Sequence, residues 1–223
     1  EEYTFISDFC VDAYNDKLII IAAPNRIMLF DFKGVFKNSF NLAFRPAQVL
    51  PLSGNKLIFY FYNTPGSGFP SWAMTDSKGN VIKTIKNSIN RISKPGFSIN
   101  QSPFYLTKDA NNMMEFGTDT LYQLKDEEKT PYAIFSFGEY KMDIDPVINL
   151  SMIREARKSP LGKIWIPEIV ENKNFLFISF AVGITDRRMN AIFNKSTGTL
   201  TFLKDNGFVN DLTGGTIFWP EGI

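Results

Sequence analysis

One hairpin is written three times in this chain, and that repetition constrains the fold more than any single motif. An aromatic-rich strand runs into a tight turn of small polar residues around one glycine, and a second strand follows. The copies are MLFDFKGVFKNSF around Gly34, WAMTDSKGNVIKTI around Gly79 and NAIFNKSTGTLTFL around Gly198. A fourth copy, TLYQLKDEEKTPYAIF, keeps both strands and replaces the glycine turn with Asp126, Glu127 and Glu128. Gly34 and Gly79 lie 45 residues apart, and Asp126 follows 47 residues after Gly79. That interval is the length of one four-stranded blade of a β-propeller. A lone sheet cannot bury its own two apolar faces. Stacked radially, each sheet covers the next.

Between these hairpins the remaining strands alternate apolar and polar residues, as half-buried strands do. The first repeat reads FISDFCVDAY, KLIIIAA, RIMLFDF and VFKNSF, with turns at Asn15-Asp16, Pro24-Asn25 and Gly34. Its LIII run fits a strand buried on both faces. Blades are expected over residues 4–40, 46–86, 102–138 and 163–204, with the start of a further one at 208–223, as one partial propeller domain. The interval from Asp126 to Gly198 is 72 residues, too long for one blade. The excess is expected to be a helix near 146–158. Asp145-Pro146 caps it, Ile148, Met152 and Ala156 share a face, and Ser159-Pro160 and Gly162 stop it.

Composition narrows the chemistry. Histidine is absent, which removes Ser-His-Asp and Cys-His catalysis and any imidazole metal ligand from this chain. Lys and Arg number 24 against 23 Asp and Glu, with no basic stripe, so no nucleic-acid partner is expected. The longest apolar run, Leu18–Ala23, is far too short to span a bilayer. Cys10 sits alone in an alternating strand and reads as a small packed side chain.

Three segments carry a family resemblance. They are the opening EEYTFISDFCVDAYNDKLIIIAAPNRIMLFDFKGVFKNSF, FGTDTLYQLKDEEKTPYAIFSFGEYK from Phe116 to Lys141, and NDLTGGTIFWP from Asn210 to Pro220. Together they resemble an uncharacterised six-bladed β-propeller family of Bacteroidetes lipoproteins, distantly similar to NHL-type propellers. The resemblance implies an exported, lipid-anchored protein of the cell envelope. It also implies sheet before Glu2-Tyr3 and after Trp219-Pro220, so this chain is expected to be an internal portion of such a ring. A closed five-bladed ring is the alternative.

Ligands of propellers meet the face that carries the loops between second and third strands and between blades. On that ground Arg45, Tyr62, Phe69, Arg154, Arg187 and Arg188 are candidate binding residues, with guanidinium groups for carboxylate or phosphate and rings for stacking. The competing reading has the arginines solvated or tying blades together. The Gly/Pro-rich loop Asn63–Ser71 lacks the Lys-Ser/Thr and helix that cradle phosphate. Two acidic pairs, Glu168 with Glu171 and Asp205 with Asp211, are the carboxylates a glycosidase would need. Asp109, Asn111 and Asn112 lack calcium-loop spacing. No cofactor or metal is expected. The sequence therefore predicts a non-enzymatic ligand- or protein-binding scaffold whose exposed blade faces are available for self-association. The alternative is a propeller hydrolase acting on a glycan or lactone with central-channel carboxylates.

Overall fold

The structure, a computed structural model, describes residues 5–61, 70–86, 103–107, 110–115, 118–125, 127–141, 163–182, 188–204, 207–210 and 215–220. Among them the chain is all-β, with four four-stranded antiparallel sheets and one two-stranded hairpin. In each sheet the hydrogen-bonded neighbours are consecutive in sequence. The helix expected near 146–158 lies outside the described residues, as do Tyr62, Phe69, Arg154 and Arg187. The chain divides into two compact units, residues 1–100 with 124–129, and residues 101–123 with 130–223.

The first unit holds two sheets. Strands β1 (Ile6–Asp12), β2 (Lys17–Ala22), β3 (Arg26–Asp31) and β4 (Phe36–Asn41) form one. Strands β5 (Pro46–Leu52), β6 (Lys56–Phe61), β7 (Pro70–Thr75) and β8 (Val81–Lys86) form the other. Alternation dictates how they meet, because successive side chains of a strand point to opposite faces. Ile19, Ile21, Ile27 and Leu29 present one face of the first sheet to Val49, Leu57, Phe59, Phe61 and Ala73 of the second. Each fully buried side chain of this kind stabilises the fold by about 1.5–3 kcal/mol. Strand β6 is buried on both faces from Leu57 to Phe61. Its counterpart β2 is not: Ile19 and Ile21 are buried while Leu18 and Ile20 stay half-buried. The outermost strands β4 and β8 are mostly exposed, as edges of a radial stack are.

The repeated glycines do what the turn requires. Gly34, Gly79 and Gly198 take φ of +78°, +88° and +69°, the left-handed region open to glycine. An Asx side chain closes each turn. Asp31 Oδ1 accepts from the amides of Lys33 (2.9 Å) and Val35 (2.8 Å). Asp76 Oδ1 accepts from those of Lys78 (2.8 Å) and Asn80 (2.9 Å), and Asn194 Oδ1 accepts from that of Ser196 (2.9 Å). Gly79 carries a second constraint. A methyl group built there would meet Phe40 Cδ2 at 2.4 Å, so the turn of the second sheet is pressed against β4 of the first. In the glycine-less fourth copy, Glu127 itself adopts φ +68°. Its carboxylate pairs with Lys56 and its carbonyl accepts from Lys83 Nζ at 2.5 Å. The strain of a left-handed glutamate is offset there by two ties to the second sheet.

The second unit contains β9 (Phe104–Leu106), β10 (Asn111–Met114) and the bulk of β11 (Thr120–Lys125) and β12 (Glu128–Ile134), the third sheet. Strands β13 (Ile164–Glu171), β14 (Phe175–Val182), β15 (Met189–Asn194) and β16 (Thr199–Phe202) form the fourth, and β17 (Phe208–Asn210) pairs with β18 (Gly215–Phe218). Its core joins Tyr105, Met114 and Leu121 of the third sheet to Ile166, Ile169, Leu176 and Ile178 of the fourth. Beyond the fourth sheet, Trp219 stacks on Phe208 and meets Phe177 edge-on at 5.8 Å.

Candidate functional site

The second unit brings together two features of opposite character, a buried carboxylate hub and an apolar cleft. The hub is centred on Glu171, at the end of β13, whose side chain is 5% exposed. Burying a carboxylate costs several kcal/mol unless it is paired and hydrogen-bonded, so its surroundings have to be polar. Tyr105 donates to Oε2 at 2.7 Å and Asn112 Nδ2 at 2.9 Å. Tyr132 donates to Oε1 at 2.7 Å, and Lys195 pairs with the same oxygen. Lys195 also donates to the carbonyl of Asn172 at 2.8 Å. Burial pushes the Tyr105 phenol up, and the neighbouring Glu171 charge pushes it further. The Tyr132 phenol rises for the same two reasons in weaker form, burial first and then its bond to Glu171. Both stay protonated donors, which is what a carboxylate acceptor needs. The hub thus binds β9, β10 and β12 of the third sheet to two turns of the fourth.

The cleft lies on one face of the fourth sheet. Alternation aligns Leu176, Phe193 and Leu200 in one cross-strand row and Ile178, Ala191 and Phe202 in the next. Ala191 is the small member of the second row and gives the floor its depth. The segment following β12 forms the opposite wall through Phe135, Phe137 and Tyr140. It is held in place by the Phe135 amide bonding the Asp119 carbonyl (2.7 Å), Lys141 pairing with Asp119 (2.5 Å), and a bridge between Lys141 and Ile164. The enclosed volume is about 420 Å³, and the lining carries no charged side chain. Pockets of ≈ 300–1,000 Å³ take small molecules. A lining of this composition offers mainly aliphatic and aromatic contact, with the Ser136 and Tyr140 hydroxyls as its polar side-chain groups.

Of the six candidate binding residues, Arg45 and Arg188 are described. Arg45, in the link from β4 to β5, lies over the ring of Phe5 at 5.7 Å in the first unit. Arg188, just before β15, pairs with Glu168 at 3.3 Å in the second. Glu168 and Glu171, one acidic pair, are engaged separately, by Arg188 and by the hub. Asp205 and Asp211 lie outside the described residues. Asn111 and Asn112 are buried in β10, where Asn112 serves Glu171. Among the described residues no three acidic or cysteine side chains converge as a metal site would need. Cys10 faces Asp8 and Asp12, and burial first, then those charges, push its thiol up to about 12. Sequence reading missed the hub because Tyr105, Asn112, Tyr132 and Lys195 are spread over about 90 residues. It missed the cleft because only the cross-strand register places Ala191 between Ile178 and Phe202.

Comparison with known proteins places the chain by fold. The family profile described as "Domain of unknown function (DUF4934)" matches residues 1–223. No curated protein is detectably similar in sequence. A Bacteroides fragilis crystal structure, described only as a candidate exported protein, superposes with TM-score 0.69 at 16% identity, covering 95% of this chain and 63% of that one. The RRP9 WD40 repeats give TM-score 0.50 at 6% identity, over 91% of this chain and 52% of theirs. BamB from Moraxella catarrhalis gives 0.48 at 14%, over 87% and 48%. The chain therefore spans less than two thirds of the length of these structures. The Bacteroides fragilis protein and the WD40 repeats share its propeller-like sheet architecture.

Proposed function

The chain belongs to the DUF4934 family, and we propose that it is part of a six-bladed, NHL-like propeller that binds an apolar ligand without transforming it. The cleft of the second unit carries this reading. It has the volume of a small-molecule site and a floor of aliphatic and aromatic groups. Its polar atoms are confined to the backbone, Ser136 and Tyr140. A hydrolytic site would need two carboxylates converging on one bond, whereas Glu168 and Glu171 each serve a different partner. The similarity to a candidate exported protein from Bacteroides fragilis supports a place at the cell envelope.

The test is occupancy of the cleft. Binding of the fluorescent probe 1-anilinonaphthalene-8-sulfonate, followed by titration, should be saturable at one site. The Ala191→Phe variant, whose ring fills the floor, should lose it while keeping its far-ultraviolet dichroism. Unchanged binding in a folded Ala191→Phe protein would refute the assignment.

A further inference from the structure

The cleft of the second unit is polar at one end only, and we propose that its ligand is an unbranched aliphatic carboxylate whose acid group sits at that end. The proposal rests on reading the cleft as a binding site and adds the chemical class of what it takes. Direction comes from the sheet. The floor crosses the fourth sheet in strand order, from Ile164 and Ile166 on β13 to Leu200 and Phe202 on β16. Three strand spacings make that run about 14 Å long. Phe135 and Phe137 form the facing wall, with their rings within 9° of parallel at 6.1 Å. At the β16 end the lining finishes on two apolar side chains, Leu200 at 47% and Phe202 at 66% exposure.

The β13 end is different. Ser136 and Tyr140, the two hydroxyl-bearing residues of the lining, belong to the segment that reaches β13 there, where Lys141 bridges to Ile164. Lys163, immediately before Ile164, is half-buried just outside the lining. Its Nζ donates to the Glu139 carbonyl at 2.5 Å, one residue from Tyr140. Two lysines thus stand at this end, and they are not equivalent. Lys141 is neutralised by Asp119. Lys163 meets a neutral carbonyl, and among the described residues no carboxylate pairs with it. An ammonium carries three donors, so two remain for an acceptor arriving at the mouth. Low-dielectric surroundings strengthen that attraction, and a carboxylate accepts from an ammonium more strongly than a neutral oxygen does. A cationic head group would meet Lys163 as a like charge. Beyond this end the floor offers aliphatic and aromatic contact alone, which a hydrocarbon tail matches.

Isothermal titration calorimetry of the whole chain with octanoate, octanol and octylammonium tests it. Octanoate should bind at one site, about tenfold more tightly than octanol, with octylammonium weakest. Added salt should weaken octanoate and leave octanol unmoved, a readout that needs no variant. Lengthening the acid should raise affinity about three- to fourfold for each added CH₂ until the chain outgrows the floor. In Lys163→Gln, checked for native dichroism, the gap between octanoate and octanol should close. Octanol binding as tightly as octanoate, or a gap that persists in folded Lys163→Gln, would overturn the carboxylate assignment and leave the cleft standing as an apolar site. If none of the three ligands binds, the reading of the cleft falls and the carboxylate assignment falls with it.

Discussion

Replacing Gly79 by alanine should destabilise the fold well beyond the same change at Gly34 or Gly198, and the difference can be worked out atom by atom. All three glycines occupy left-handed backbone, where an L-residue costs roughly 1–2 kcal/mol. A methyl at Gly34 or Gly198 meets nothing within 4 Å, so those two variants should lose about that amount and no more. At Gly79 the methyl lands 2.4 Å from Phe40 Cδ2 and 2.6 Å from Cγ, distances that real carbon pairs never show. Relief requires Phe40 to rotate out of its edge-on contact with Phe59, or the two sheets to separate locally. Overpacking of this kind costs a further 1–3 kcal/mol or so. The expected loss at Gly79 is therefore about 2–5 kcal/mol. Equilibrium urea unfolding of the three variants measures it. A double-mutant cycle with Phe40→Leu, which shortens the offending ring, should recover part of the excess and none of the backbone cost. Equal losses at Gly34 and Gly79 would show that the turn of the second sheet does not press on β4.

Other outcomes follow from the same geometry. Glu171→Ala removes the acceptor shared by Tyr105, Asn112, Tyr132 and Lys195, and breaking a buried pair should cost about 3–5 kcal/mol in urea unfolding. A loss below about 1 kcal/mol, typical of surface pairs, would show the hub to be decorative. The Tyr105 phenol is raised above its ordinary value of 10.0, so its contribution to stability is complete below that pH and fades as pH rises beyond it. Alkaline spectrophotometric titration should accordingly show Tyr105 ionising together with unfolding, and Tyr105→Phe should remove that step. Cys10, with its thiol pushed up to about 12, should resist iodoacetamide at neutral pH in the folded chain and react fully in urea. Rapid alkylation of folded protein would contradict the packed position assigned to it.

The hairpin repeat made the architecture legible because turn chemistry and strand alternation are local properties. Asp31, Asp76 and Asn194 announce their turns within five residues, and the side-chain period of two assigns faces without knowing the neighbours. The LIII run of β2 shows where local reading stops. Its composition matches a strand covered on both sides, yet coverage depends on which sheet stands next to it. Sites were less legible for the same reason. Arg45 and Arg188 carried the right chemistry, and what they meet, Phe5 and Glu168, follows from backbone geometry and not from spacing. Glu171 stood beside Glu168 in sequence and looked like half of a catalytic pair. Three residues along a strand point to opposite faces, and that parity already separates the two carboxylates.

That each sheet is built from strands adjacent in sequence has a consequence for synthesis on the ribosome. No described strand waits for a distant partner: β1 meets β2 across a turn of four residues, and the fourth sheet assembles from β13 to β16 in order of emergence. Each sheet can therefore form as soon as its last strand clears the exit tunnel, with the previous one present as a template for its inner face. Vectorial growth of this kind leaves one sticky surface at a time exposed, at the growing end.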